Sequence, residues 1–327
     1  MYIVTGGAGL IGSSLIWGLN QRGIEDILVV DHLAESEKWK NLRALKFADY
    51  MEREDFMAKI DRKESFGKIE GILHMGACSA TTERNATYLI HNNFEISKRL
   101  ALMAVENTIR FIYASSAATY GDGALGYDDN EDQLELLRPM NMYGYSKHLF
   151  DLWAKRQGLL KSLVGLKFTN VYGPNEHHKG GMRSMVYCAH EQILQTGKVR
   201  LFKSYKKEFA DGGQMRDFIY VKDVVDMTLF LLLEAKQACG IFNIGSGVAD
   251  NWNNLAKAVF AAMNQPVQIE YVEMPEQIRD RYQYYTKANM EKFLSTGYAK
   301  PVASLDEAVL DYIRNYKSLD RLLGDEP

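Results

Sequence analysis

The run Tyr2-Ile3-Val4-Thr5-Gly6-Gly7-Ala8-Gly9-Leu10-Ile11-Gly12 decides the fold of this chain. Its first four residues predict a short buried strand, and glycines follow at positions 6, 9 and 12, where a helix begins. Glycine lets the backbone approach a pyrophosphate closely, and the N-terminus of a helix offers amide donors and a favourable dipole. The run therefore predicts a dinucleotide-binding turn, with a merely tight strand-to-helix turn as the alternative.

The next predicted strand, 27–30, leads into a carboxylate. Asp31 stands about where such a group meets the adenine ribose of a bound dinucleotide, and a bare carboxylate there favours NAD. Lys38 and Arg53 would offset that charge if they fold over the same position, and would then favour the phosphorylated ribose of NADP. Otherwise both are solvated surface charges. The sequence alone leaves the choice between NAD and NADP open.

Short β-branched strands alternate with helical stretches through the first half of the chain, which predicts a parallel sheet with helices on both faces. The predicted strands are 2–5, 27–30, 45–48, 72–74, 111–114 and 163–168. Ligands bind such sheets at the carboxyl ends of the strands, so His74-Met75-Gly76-Ala77 is either a cofactor floor or a plain turn. After Pro174 the pattern loosens, and the chain is predicted to return to the sheet at 217–221 and 240–244.

These elements predict an α/β fold, a Rossmann doubly wound parallel sheet with a smaller mixed α/β substrate lobe. The predicted cofactor-binding domain covers 1–172 plus about 216–248. The predicted substrate-binding domain covers 173–215 plus about 249–327.

The composition of the 327 residues, 46% hydrophobic and 25% charged, is that of an ordinary globular protein. A net charge of −3 argues against a nucleic-acid binder with a basic surface. The three cysteines form no Cys-x-x-Cys pair, and the adjacent His177 and His178 would diverge on a regular element, so we predict no metal site. A strand at the very start leaves no room for a signal peptide, and the apolar run 224–233 is too short to span a membrane. We therefore expect a cytoplasmic protein with reduced thiols.

Tyr143 and Lys147 lie four residues apart at the start of a predicted helix, so their side chains project from one face. A free phenol has a pKa of about 10, and a fixed ammonium beside it stabilises the phenolate and lowers that pKa. Ser116 follows the predicted strand 111–114, where its hydroxyl can hold a substrate hydroxyl. The three residues predict hydride chemistry on an alcohol, with Tyr143 as the base. A Tyr-x-x-x-Lys spacing alone is common, but its order behind the glycine loop, Asp31 and Ser116 disfavours an ordinary helix.

Two further cations are candidates in or beside the predicted second lobe. Lys179, in Glu176-His177-His178-Lys179-Gly180-Gly181, is either a solvated charge or a second acid or base on the face opposite Tyr143. Arg216 follows a charged loop and either forks onto a substrate diphosphate or pairs with a neighbouring carboxylate. The sequence does not decide between these roles.

With the glycine loop, Ser116, Tyr143-x-x-x-Lys147 and Arg216-Asp217-Phe218-Ile219-Tyr220-Val221 in this order, the chain resembles the extended short-chain dehydrogenases that modify nucleotide sugars. Over nearly its whole length it resembles the branch of that family that epimerises C6 of ADP-heptose. The segments that carry this narrower resemblance are 1–12, 27–31, 48–51, 76–79, 114–121, 143–147, 170–174 and 178–180. Those around Cys78 and Lys179 are the most specific to that branch.

The resemblance implies a tightly held NADP, an ADP-heptose substrate, a redox-neutral epimerisation through a transient 6-keto sugar and a homo-oligomer, typically a homopentamer. It assigns catalysis to Ser116, Tyr143, Lys147 and Lys179. It assigns cofactor binding to Gly6, Gly9, Leu10, Ile11, Gly12, Asp31, His32, Lys38, Arg53, Met75, Gly76, Ala77, Cys78, Ser79, Asn92, Lys147, Val171 and Lys179. It assigns substrate binding to Ser116, Asn170, Gly181, Cys188, Phe202, Arg216 and Tyr282.

The chain also departs from the family pattern, and other activities of that fold are alternatives. Met75 replaces a frequent glutamate, Gly181 a serine and Cys188 a histidine, and the loop 203–214 is longer than usual. A nucleotide-sugar 4,6-dehydratase usually has Asp-Glu after a threonine in the Ser116 region, whereas two alanines follow here. A cofactor-sensing protein without catalysis often lacks the tyrosine or the lysine, and both are present. Another nucleotide-sugar epimerase is the third alternative.

Overall fold

The computed structural model describes residues 1–279 and 282–325. Its strands, in chain order, are β1 (Tyr2–Thr5), β2 (Ile27–Asp31), β3 (Asp49–Glu52), β4 (Gly71–His74), β5 (Arg110–Ser116), β6 (Leu163–Phe168), β7 (Asn170–Tyr172), β8 (Val199–Phe202), β9 (Met215–Tyr220), β10 (Gly240–Ile244), β11 (Ala249–Asn251) and β12 (Ile269–Val272). Its α-helices are α1 (Leu10–Asn20), α2 (Arg53–Asp61), α3 (Ala86–Leu89), α4 (Ile96–Glu106), α5 (Met142–Arg156), α6 (Met185–Thr196), α7 (Val221–Leu233), α8 (Trp252–Ala262), α9 (Glu276–Arg279), α10 (Glu291–Leu294) and α11 (Leu305–Asp311). A π-helical segment, Ile90–Glu95, joins α3 to α4, and a second, Tyr312–Tyr316, follows α11.

Seven of these strands form a parallel sheet in the order β10-β6-β5-β4-β1-β2-β3. Every residue of β2 and β6 is buried, as expected for strands that are covered on both faces. The helices α1 and α7 pack on one face through Leu15 and Leu229. On the other face α2, α4 and α5 contribute Phe56, Leu100 and Phe150. The predicted doubly wound sheet is confirmed, and the segment 240–244 joins it as predicted, as the edge strand β10.

Two predicted strands lie elsewhere in the structure. The third strand is 49–52 instead of 45–48, because Leu45 packs into the apolar core and the amide of Ala48 makes the first bond to the neighbouring strand. The segment 217–221 does not return to the parallel sheet. It belongs largely to β9, which pairs with β7 and β11 in a separate three-stranded sheet. An apolar run predicts a strand but does not specify which sheet the strand joins.

A second packed region contains the sheet β11-β9-β7, the strand pair β12-β8 and the helices α6, α8 and α11. Its apolar cluster includes Val186 from α6, Val259 from α8 and Val309 from α11. Ser184 caps α6 by accepting from the amide of Tyr187 at 3.2 Å, which fixes where that helix begins. Among the described residues, no helix is both long and apolar enough to cross a membrane.

Candidate active site

The carboxyl ends of the parallel strands open into a cavity of about 860 Å³, whose other walls come from His178, Lys179, residues 182–186, β9 and α8. The predicted site residues on its wall are Gly6, Gly9, Leu10, Ile11, Gly12, Asp31, His32, Lys38, Arg53, Met75, Gly76, Ala77, Cys78, Ser79, Asn92, Ser116, Tyr143, Lys147, Asn170, Val171, Lys179, Arg216 and Tyr282. The structure does not bring the predicted substrate residues Gly181, Cys188 and Phe202 to this wall. The ring of Phe202 instead packs against the ring of Tyr282, with centroids 6.2 Å apart.

The glycine turn after β1 brings two backbones into direct contact. Gly6 has a φ of 65°, and a Cβ built on it would lie 2.6 Å from the amide nitrogen of Gly76. A side chain at this position would therefore be both strained and blocked. The helix α1 then begins at Leu10 with no acidic residue in its first turn. Backbone amides and the positive end of the helix dipole face the cavity, which is an arrangement that binds a pyrophosphate.

The carboxylate of Asp31 is buried, with 8% of the residue exposed, and both of its oxygens are hydrogen-bonded. Oδ2 accepts from the amide of Ala8 at 2.8 Å, and Oδ1 accepts from the amide of His32 at 2.7 Å. The ammonium of Lys38 donates to Oδ1 at 2.6 Å. The negative charge expected at the adenine ribose is therefore compensated by a neighbouring cation.

Arg53 reaches the cavity from the first turn of α2. Its Nε donates to the carboxylate of Glu54 at 3.1 Å, and its Nη1 donates to the side-chain oxygen of Asn92. The guanidinium side chain is 31% exposed. An anion entering here would compete with Glu54 for Arg53, in addition to meeting Lys38.

Ser116 and Tyr143 meet in the cavity from the end of β5 and the first turn of α5. Asn141 caps α5 by accepting from the amide of Gly144 at 2.8 Å, so the helix begins where the sequence predicts. Burial raises the pKa of Tyr143, and the hydrogen bond that its phenol oxygen accepts from the Ser116 hydroxyl opposes that rise. The two hydroxyls are thus close enough to hold one substrate oxygen between them.

Lys147 is buried, and its ammonium donates to the carbonyl oxygen of Ala114 at 2.7 Å. Burial lowers the pKa of Lys147 to about 8, and the charge of Asp151, one turn further along α5, opposes that change. The sequence predicts that Lys147 lowers the pKa of Tyr143, whereas burial raises that pKa overall. Desolvation of the phenol dominates, and the ammonium is bound to the end of β5.

Lys179 lies in the 3₁₀ segment His177–Met182, and burial lowers its pKa while the charge of Glu176 opposes that change. Glu176 is itself fully buried and anchors the segment. Its carboxylate accepts from the Ser184 hydroxyl at 2.7 Å and from the Tyr312 hydroxyl at 3.0 Å. These contacts hold Lys179 in a braced loop beside the cavity, which disfavours a solvated surface charge.

Arg216 is 7% exposed, and its guanidinium lies 5.0 Å from the ring centre of Tyr282 and 5.6 Å from that of Trp252. Within the described part of the chain it forms no ion pair, and its Nη1 donates to the carbonyl oxygen of Met215. The adjacent Asp217 accepts instead from the amides of Ser246 and Ala288. Burial lowers the pKa of Arg216, but guanidinium keeps its charge. A buried cation on the wall without a carboxylate partner favours an anionic ligand.

Sequence reasoning missed several wall residues, including Arg183 and Trp252. The Nε of Arg183 donates to the carbonyl oxygen of Gly180 at 2.7 Å, so this cation braces the Lys179 segment. Because Arg183 lies close to Lys179 in the sequence, its role at this segment could have been predicted. No sequence pattern relates Trp252 to Arg216.

Cations exceed carboxylates on the cavity wall, where Asp31 carries the one carboxylate among the described residues. The cations are Lys38, Arg53, Lys147, Lys179, Arg183 and Arg216.

Comparison with known proteins shows the family of this chain. Residues 2–245 match the NAD dependent epimerase/dehydratase family. An ADP-L-glycero-D-manno-heptose-6-epimerase of Nitratidesulfovibrio vulgaris is 52% identical over 316 residues, which cover 97% of this chain and 98% of the relative. An enzyme of the same name from Fusobacterium nucleatum is 47% identical over 325 residues, with 97% and 98% covered. The crystal structure of the Helicobacter pylori ADP-L-glycero-D-manno-heptose-6-epimerase superimposes with a TM-score of 0.81 at 26% identity, over 96% of this chain and 95% of that one. The chain therefore belongs to the NAD dependent epimerase/dehydratase family.

Proposed function

We propose that this chain epimerises C6 of ADP-D-glycero-β-D-manno-heptose to the L-glycero form through a transient 6-keto sugar. The observation that carries the proposal is the hydrogen-bonded pair Ser116 and Tyr143 in one cavity with Lys147 and Lys179. Support for the substrate comes from relatives that are named for this reaction and align over nearly their full lengths.

We propose NADP as the nicotinamide cofactor. The amides of the glycine turn and of α1 would hold its pyrophosphate, and the close contact between Gly6 and Gly76 leaves an open backbone floor. The ion pair between Lys38 and Asp31 supports NADP over NAD, because it removes the repulsion that a bare carboxylate would exert on a 2′-phosphate. When bound, NADP would supply the hydride acceptor for C6 and, as NADPH, the donor of the same hydride, so that the reaction is redox-neutral.

The protein side chains handle the protons of this reaction. Tyr143 takes the proton of the C6 hydroxyl, while Ser116 holds the same oxygen. After the ketone turns, a proton must reach an oxygen on the opposite side, and Lys179 is the proposed acid there. Burial lowers the pKa of Lys179 from its usual value, which makes its ammonium a stronger acid.

The charge of the cavity supports a nucleotide diphosphate as substrate. A dinucleotide and a sugar diphosphate together bring several negative charges, and the wall offers six cations against one carboxylate among the described residues. Arg216 is proposed to bind the substrate diphosphate, since it is held between Tyr282 and Trp252 without a carboxylate partner.

The same wall disfavours a 4,6-dehydratase. Elimination of water needs an additional acid and base, yet Ala117 and Ala118 follow Ser116. Within the described residues, Asp31 supplies the one wall carboxylate, and it is bound to Lys38. The other sequence-based expectations stand as proposals: a homo-oligomer, typically a homopentamer, a cytoplasmic location and the two-domain division at about 172, 216 and 248.

The direct test has two steps. The purified protein is denatured and the released cofactor is identified by mass spectrometry, with NADP expected. The native protein is then incubated with ADP-D-glycero-β-D-manno-heptose without added cofactor, and the C6 configuration is followed by NMR. UDP-glucose serves as the control substrate and should stay unchanged. Conversion of UDP-glucose alone would indicate another epimerase, and loss of water from the sugar would indicate a dehydratase.

A further inference from the structure

The two adjacent histidines of the chain, His177 and His178, lie beside the segment that carries Lys38. That segment is the 3₁₀ turn Glu37–Leu42, and it packs against the turn that the two histidines begin. Nε2 of His177 lies 3.3 Å from the carbonyl oxygen of Glu37, so this nitrogen is the donor. His177 therefore binds the main chain one residue before Lys38.

The side chain of Asn41, which is 1% exposed, fixes the ring of the second histidine. Its Nδ2 donates to the carbonyl oxygen of Ala8, in the glycine turn, at 2.9 Å and to that of Asn175 at 3.0 Å. Nδ1 of His178 lies 3.3 Å from the same Nδ2. Because an amide nitrogen can only donate, Nδ1 of His178 accepts, and the proton of the neutral ring is on Nε2.

The surroundings of His178 keep its ring neutral. Burial lowers the pKa of His178 to about 4, and the positive charges of Lys179 and Lys38 contribute to that change. The carboxylate of Asp31 acts in the opposite direction. Near pH 7 the ring is therefore uncharged, and its Nε2–H is a donor of fixed orientation.

This donor belongs to the wall of the cavity. His178 lines the wall, whereas His177 does not. In the part of the chain that the structure describes, the ring of His178 bonds through Nδ1, and its Nε2 has no hydrogen-bond partner. Lys38 and Lys179 are close enough for their charges to act on the ring, and both line the same wall. A free donor beside two cations favours a phosphate oxygen as its acceptor.

We propose that His178 is a further cofactor-binding residue, which donates its Nε2–H to a phosphate oxygen of the cofactor beside Lys38. Asn41 is the positioning residue, because its contact with Nδ1 selects the tautomer that donates from Nε2. The phosphate is the 2′-phosphate, next to the pair Lys38 and Asp31, or the pyrophosphate at the glycine turn that Asn41 also contacts. The proposal rests on the proposed cofactor site and not on the reaction of the sugar.

His178→Leu removes the donor and keeps an apolar side chain against Asn41. The affinity of the full-length protein for NADPH, measured by fluorescence titration, should fall about tenfold or more, because a hydrogen bond to a charged group is lost. NADH is the second probe, since it carries the pyrophosphate but no 2′-phosphate. An unchanged affinity for NADH would place the contact at the 2′-phosphate, and an equal loss would place it at the pyrophosphate.

Two matched variants separate a direct contact from the packing of the two segments. The side-chain amide of His178→Gln can donate from near the position of Nε2, so its affinity for NADPH should stay within about threefold of the wild type. His177→Leu cuts the contact with Glu37 but lies off the wall, and it should change that affinity less than about twofold. The proton of His178 should appear on Nε2 in ¹H–¹⁵N spectra of the histidine rings.

Three results would overturn the direct contact. They are an unchanged NADPH affinity in His178→Leu, a loss of equal size in His177→Leu, and a proton on Nδ1 of His178. The second would mean that the packing of the two segments alone controls cofactor affinity. If the wild type binds neither NADPH nor NADH, the proposed cofactor site fails, whereas normal binding to both wild type and His178→Leu would remove only the role of His178.

Discussion

Lys38 and Asp31 form an ion pair, with the ammonium 2.6 Å from the carboxylate, at the position where the sequence predicts the adenine ribose. Asp31 also accepts from the amides of Ala8 and His32, so both of its oxygens are hydrogen-bonded within the protein. A carboxylate that is hydrogen-bonded and paired with a cation is a weaker acceptor for a ribose hydroxyl than a free one, and it repels a 2′-phosphate less. The pair therefore supports the proposed preference for NADP over NAD.

The first prediction is that Lys38→Ala combined with Arg53→Ala lowers the affinity for NADP relative to NAD by about tenfold or more, since charge-assisted hydrogen bonds are worth about 1.5–3 kcal/mol each. The ratio is measured by calorimetric titration of both cofactors. Lys46→Ala is the control, because that lysine is exposed and pairs with Glu25 away from the cavity. An unchanged ratio would mean that neither cation contacts a 2′-phosphate.

The second prediction concerns Tyr143, which hydrogen-bonds Ser116 in the cavity. Tyr143→Phe should lower kcat by about 10²-fold or more with cofactor still bound, since general-base catalysis typically contributes that much. Tyr145→Phe is a matched control on the same helix, because Tyr145 is 45% exposed and lies off the cavity wall. Near-normal turnover in a folded Tyr143→Phe protein would remove this residue from the proton transfer.

What the sequence predicts well here are features with a strict local requirement. Gly6 needs a positive φ and has no room for a Cβ, and the cap at Asn141 starts α5 at a defined residue, so both are visible in a short run. The sequence did not show whether Arg216 pairs with a neighbouring carboxylate or faces a ligand. Adjacent residues of a strand point to opposite faces, and on β9 this separates Arg216 from Asp217.

Long-range contacts account for the rest. Asn93 binds Cys78 and Ser146, which come from other segments, and no periodic pattern marks such a contact in advance. The sheet membership of β9 and the start of β3 also depend on which neighbours are packed nearby. Burial reverses the expected pKa direction of Tyr143, because the desolvation of a phenol is set by the whole surrounding fold.

The third prediction is a loss of activity at alkaline pH. Burial lowers the pKa of Lys147 to about 8, so this ammonium is charged below that pH and loses its proton as the pH rises through it. We expect kcat to fall above about pH 8 if the charge is needed beside Tyr143. Asp151→Asn removes the negative charge that raises the pKa of Lys147, so the decrease in kcat should begin at a lower pH. A pH–kcat profile that stays flat to about pH 10 would contradict a role for the charge.

The fourth prediction is that Arg216→Met raises KM for ADP-heptose by about tenfold or more and leaves the NADPH affinity unchanged, because a charge-assisted contact to the diphosphate is lost. Arg200→Met is the control, since Arg200 is exposed and pairs with Glu270. Equal KM values in the two variants would place the diphosphate elsewhere in the cavity.

The last prediction concerns the two faces of the ketone. Tyr143 and Lys179 line the same cavity from α5 and from the segment 177–182, and the proposed mechanism assigns one face of the ketone to each. The reaction run in D₂O should give product without deuterium at C6, because the hydrogen removed from carbon is the one returned to it. Deuterium at C6 would instead indicate enolisation.

Lys179→Met tests the second face of the ketone. We expect kcat to fall by about 10²-fold or more, because an acid or base is lost. The affinity for NADPH should be retained, because Glu176 and Arg183 hold the loop through their own hydrogen bonds. Lys257→Met, an exposed lysine of α8, is the control. Full activity in Lys179→Met would mean that Lys179 transfers no proton, and that Tyr143 exchanges protons on both faces of the ketone.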